Sequence, residues 1–226
     1  MKSVHFNVAI GALALEFTAF SPAARADVYD LTVDHCSGSG CGTAPFGSVT
    51  VVEDSSLSNT LDFTVTLFNG NTFVKSGAST ALAFNLSPLN PAPTLTSSDF
   101  SDITAGFDVG KLTTDDSIHL DGTGYFDYEV VCTVCANGAS NPQTGPLSFK
   151  LTLSSGLNLS DLVANAAGNF FTVDILSAAT GQTGPVAANG LAPVTPEPGA
   201  AVLYGSGLIL FGGWLRRRNR KSAANA

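Results

Sequence analysis

Basic side chains are scarce in the centre of this 226-residue chain. Between residues 27 and 193 there are only Lys75, Lys111 and Lys150, against sixteen Asp and Glu. That stretch carries a net charge of −13, while the whole chain carries −8. Nucleic acid and anionic lipid are bound by positive faces that displace counterions, so this composition excludes nucleic acid as a partner. Histidine is scarcer still, with His35 and His119 alone in the central region. A serine nucleophile needs a base within hydrogen-bond reach, and no Gly-x-Ser-x-Gly elbow occurs here. The single tryptophan, Trp214, lies near the C-terminus, so the centre lacks the ring most used for stacking on sugars. Helical periodicity is almost missing too, which argues against a helical bundle.

What the centre does contain is strand pattern. Leu61, Phe63, Val65 and Leu67 alternate with Asp62, Thr64 and Thr66. Leu147, Phe149, Leu151 and Leu153 alternate with Ser148, Lys150 and Thr152. A two-residue period marks a strand with one face in the core and one in water. Further strands are expected at 28–34, 48–53, 80–86, 125–133 and 170–176, and Asn69-Gly70-Asn71 reads as a hairpin turn. Seven or more short strands predict an all-β fold, an antiparallel β-sandwich of jelly-roll or immunoglobulin-like type, over residues 27–180. One short helical turn is expected near Ser160-Asp161, capped by Ser160. Residues 87–101 read as a long loop and 181–194 as a flexible linker.

Four cysteines fall in two clusters, Cys36-x4-Cys41 and Cys132-x2-Cys135. The pattern allows two disulfides or a four-thiolate zinc site. An oxidising exported location favours disulfides, and tight spacing favours pairing within each cluster. The carboxylates Asp115, Asp116 and Asp121 offer calcium ligands, but without the spacing of an EF-hand loop. His35, beside Cys36, reads as a surface or internally satisfied residue before a metal ligand. Tyr29, Tyr125 and Tyr128 read as sandwich packing and edge residues, with Tyr125 and Tyr128 on opposite faces of one strand.

The two ends carry an address. Lys2, an apolar stretch over 8–20 interrupted by Glu16, and Ala24-Arg25-Ala26 form a signal peptide over 1–26, with cleavage after Ala26. At the other end, Thr195-Pro196-Glu197-Pro198 precedes a 17-residue uncharged run, 199–215, and then Arg216, Arg217, Arg218, Arg220 and Lys221. As a helix that run is ~26 Å long, enough for the apolar layer of a thin bilayer. Trp214 falls at interfacial depth, and the basic cluster resists translocation and stays cytoplasmic. The prolines hold Thr195 and Glu197 extended, a form that a processing enzyme reads easily.

This order of proline motif, apolar helix and Arg cluster over 195–221 resembles the PEP-CTERM sorting signal of exosortase substrates. Thr195 stands where valine is frequent in that family. The resemblance implies a sorting motif at Pro196, Glu197 and Pro198, a charge anchor at Arg216, Arg217, Arg218 and Arg220, and a membrane-embedded exosortase as processing partner. It also implies residence in the inner membrane through the C-terminal helix before processing, then delivery to the cell surface or extracellular polysaccharide. The resulting expectation is an exported bacterial surface or matrix protein that is not an enzyme, uses no cofactor and has a structural or exopolysaccharide and biofilm role. The alternatives are a plain membrane anchor, a secreted polysaccharide-acting hydrolase using two of the carboxylates, and a calcium-dependent adhesin.

Overall fold

The computed structural model describes residues 25–76, 80–86 and 93–193. The expected signal peptide, sorting motif, apolar run and Arg cluster lie outside them, apart from Arg25 and Ala26. No helix among the described residues is long and apolar enough to cross a membrane. These residues form an all-β fold of sixteen strands, numbered in chain order, with two single 3-10 turns.

Five strands make the first sheet, in the order β1 (Ala26–Asp30), β3 (Gly47–Glu53), β4 (Thr60–Leu67), β13 (Leu147–Thr152) and β7 (Phe100–Ser101). Every pairing is antiparallel. The register sets Phe149 opposite Phe63 and Lys150 opposite Asp62, so the alternation in sequence becomes one apolar and one polar face. On the polar face the Lys150 ammonium reaches Asp54 at 2.6 Å and Asp62 at 2.7 Å. On the apolar face Phe63 stacks on Phe149 with ring centroids 4.7 Å apart.

The second sheet has nine strands. Its spine is β12 (Gly138–Gln143), β5 (Thr72–Lys75), β15 (Phe171–Leu176), β6 (Thr80–Leu86), β11 (Tyr128–Cys132) and β8 (Phe107–Leu112). Strand β16 (Thr183–Ala188) runs along the other edge of β15 and pairs with β2 (Val33–Asp34), while β14 (Leu162–Val163) pairs with β6. The two sheets pack face to face in a sandwich-like core. Phe63 of the first sheet meets Phe84 and Phe171 of the second at centroid separations of 5.3 and 6.4 Å.

The second sheet is covered on its outer side as well. A two-stranded hairpin, β9 (Ile118–Leu120) with β10 (Gly124–Phe126), sets Ile118, Leu120 and Phe126 against Ala83 of β6. Strands β6, β15 and β16 are therefore buried on both faces. Such strands read as continuous apolar or small-residue runs without alternation. This corrects the linker expected over 181–194: Thr183–Ala188 is a buried strand, and its Gly, Pro and Ala content leaves room for close packing. Pro185 is tolerated there because its carbonyl accepts from His35 on the β2 side. In a strand N–H and C=O of one residue point the same way, so the missing donor is lost from the β2 side and not from β15.

Three smaller expectations change in the same way. Asn69 (φ 56°) and Gly70 (φ 81°) do form a tight turn, with Asn71 N–H donating to Phe68 O at 3.0 Å. Yet β4 and β5 belong to different sheets, so this turn is a crossover and not a hairpin. The strand expected over 125–133 is two strands in two sheets, broken at Asp127, whose N–H is taken by the Asn85 side chain at 2.7 Å. The helical turn at Leu159–Asp161 is capped by Asn158 and not by Ser160, because Asn158 accepts from Ser160 N–H while Asp161 accepts from Asn158 N–H.

Candidate functional site

Both cysteine clusters close locally, Cys36 with Cys41 and Cys132 with Cys135, at Cα separations of 5.4 and 5.5 Å. The first bridge closes a loop that Asp34 organises: its carboxylate accepts the N–H of Cys36 at 2.9 Å and of Cys41 at 2.8 Å. Asp34, Cys36 and Cys41 are the only trio of metal-type ligands that converge among the described residues, and both sulfurs are already bonded to each other. Asp115, Asp116 and Asp121 do not converge as a trio.

The same loop closes one side of a cavity of about 430 Å³ on the outer face of the second sheet. His35 and Ser37 come from the loop, and His119, Leu120 and Asp121 from the covering hairpin. Ser76 and Asp174, with Thr183 to Pro185, form the floor and far wall. The hairpin is pinned from two directions. Asn165 and Asn169 both donate side-chain N–H groups to the Thr123 carbonyl, at 2.9 and 2.8 Å. His35 packs against Gly122, where a Cβ would lie 2.1 Å from its Nδ1.

Asp174 is the buried charge of this site, only 2 % exposed. It sits on β15 between Val173 and Ile175, whose side chains enter the main core while its own points the other way. Ser76 donates its backbone N–H to one carboxylate oxygen at 2.6 Å and its hydroxyl to the other at 2.5 Å. Burial nevertheless pushes the Asp174 carboxyl up to about 6, against the lowering effect of those two hydrogen bonds. Asp121, on the hairpin turn, has a side chain 95 % exposed and lies 3.7 Å from Nδ1 of His119. The His119 ring in turn packs at a tilt against Tyr125, centroids 4.5 Å apart, and Tyr125 is 54 % exposed.

The structure thus brings together His35, His119 and Asp121, which the sequence singles out separately, and adds Ser37, Ser76 and Asp174. Tyr125 and Tyr128 are not two faces of one strand. Tyr125 stands on the hairpin, while Tyr128 is buried in the core with its hydroxyl donating to Pro93 O at 2.7 Å. The one signal for Asp174 in the sequence is a lone carboxylate inside the apolar run Phe171–Leu176. No family model matches the chain, and neither a curated protein nor a solved structure matches it.

Proposed function

We propose that the chain is an exported bacterial surface or extracellular-matrix protein, delivered by an exosortase that reads Pro196-Glu197-Pro198, with a non-enzymatic, polysaccharide-associated domain. The observation that carries this reading is the strict order of motif, apolar run and Arg cluster at 195–221. The two local disulfides support it, since such bridges persist in oxidising compartments. The acidic, antiparallel all-β domain is compatible with life outside the cell, and cleavage after Ala26 keeps Asp27 paired with Val51 on β3. Replacing Pro196 and Pro198 together by Ala tests the motif: the chain should stay in the membrane fraction unprocessed. Processing at the normal level would refute recognition of the motif.

One observation favours the hydrolase as a second reading: the cavity holds two carboxyl groups, Asp174 and Asp121, and the first is desolvated as a general acid requires. Asp121 weakens it, because its exposed side chain on a turn lacks the fixed geometry that a nucleophile or base needs. Release of reducing ends from the producing organism's own polysaccharide, lost in Asp174→Asn, would establish it over the non-enzymatic reading.

A further inference from the structure

The cavity on the outer face of the second sheet is rich in acceptors and poor in fixed positive charge. No Lys or Arg lines it among the described residues. Phosphate, sulfate and uronate ligands are therefore disfavoured, because nothing there repays their desolvation. Asp174 retains capacity for a ligand. A carboxylate has about four lone-pair sites, and Ser76 takes one on each oxygen, which leaves one on each. At neutral pH its charge is largely formed and has no cationic partner among the described residues, which makes it a site for a cation.

A metal ion is the first cation to weigh, given two imidazoles and two carboxylates. Their donor atoms do not converge, since the only converging trio is Asp34, Cys36 and Cys41. A volume of about 430 Å³ is also far more than one ion fills. An organic amine fits both facts. His119 of the lining adds a further requirement, for its ring packs at a tilt against the half-exposed ring of Tyr125. Such a ring takes the C–H face of a pyranose and attracts an ammonium group to its π-face. The hydroxyls of Ser37 and Ser76, with the histidine nitrogens, supply donors and acceptors for ring hydroxyls.

We propose that this cavity binds an amino sugar of the hexosamine class, its ammonium group paired with Asp174 and its ring laid against His119. The proposal deepens the polysaccharide-associated reading and rests on it only for the source of the ligand, since matrix polysaccharides expose such sugars when their amino groups are free. The titratable groups that share the cavity with Asp174 are His35, His119 and Asp121. Acidification neutralises Asp174, so binding weakens from pH 7.5 to pH 5.

Calorimetric titration of the full-length chain in detergent with glucosamine, glucose and N-acetylglucosamine at pH 7.5 tests this. Glucosamine should bind saturably, with the two neutral sugars weaker by roughly 10–100-fold, the range of a charge-assisted hydrogen bond. Asp174→Asn should lose that discrimination, and His119→Ala should weaken all three sugars together, so a folding defect in one variant leaves the other informative. Equal affinity for glucose and glucosamine, unchanged discrimination in Asp174→Asn, or no saturable binding would overturn the proposal. So would stoichiometric zinc binding that His119→Ala abolishes. Binding is measured without reference to processing, so its failure leaves the sorting tail untouched, and unprocessed protein still reports on the cavity.

Discussion

Asp174 makes stability depend on pH in a direction opposite to that of most carboxylates. Its folded carboxyl titrates near 6, while an unfolded aspartate titrates near 3.8. The native state therefore holds the proton more tightly. The stabilisation is fully present below pH 4, declines as pH rises and is gone above about pH 6. Carrying the ionised form at pH 7 costs ~3 kcal/mol relative to an unperturbed carboxyl. Asp174→Asn removes the titration while keeping the size, and its oxygen still accepts the Ser76 backbone N–H. The variant should match the parent near pH 4 and gain on it by roughly 6–12 °C in Tm by pH 7.5, at the usual conversion for domains of 150–250 residues. His35, His119 and Asp121 line the same cavity in both proteins, so the difference between the two melting curves isolates Asp174. The assay is thermal unfolding by circular dichroism in half-unit steps from pH 4 to 8. A difference independent of pH, or one that turns against the variant as pH rises, would refute the assignment of a buried, unpaired carboxylate.

Loss of the Cys36–Cys41 bridge in a Cys36→Ser, Cys41→Ser chain should leave a folded domain with a modestly lower Tm, because so short a loop yields less than the ~3 kcal/mol of a 15-residue one. Truncating Phe149 to Ala, stacked on Phe63 in the core, should cost ~3–5 kcal/mol in urea unfolding, more than either bridge. Gly122→Ala should lower Tm by displacing His35, since the turn has φ +79° and its Cβ would lie 2.1 Å from the ring; an unchanged Tm would mean the hairpin is not pinned there.

How much of this was legible depends on which face of a strand meets water. The first sheet keeps one polar face, so Leu61 to Leu67 and Leu147 to Leu153 announced their strands by alternation, and the Phe63–Phe149 pair followed. The second sheet is covered on both sides at β6, β15 and β16, which removes the period; Thr183–Ala188, built of small residues and a proline, then looks like linker. Local geometry was readable where it is local. The left-handed turn at Asn69-Gly70 and the two cysteine bridges needed only near neighbours. Whether Asn69-Gly70 joins partners in one sheet or crosses between two depends on pairings more than 70 residues away in sequence. The cavity is the extreme case, for His35, Ser76, His119 and Asp174 are brought together only by the order of strands. Nothing near Asp174 in the chain says that the hairpin formed by residues 118–126 will line a cavity with it.

The central claim, that the tail is a sorting signal read outside the membrane, is tested most directly by the intact mass of protein extracted from the cell surface. The account predicts a chain that begins at Asp27, keeps the strand Thr183–Ala188, and lacks Trp214 and the Arg cluster at 216–220. A surface form whose mass still includes Trp214 and those arginines would contradict it and leave a permanent anchor in its place.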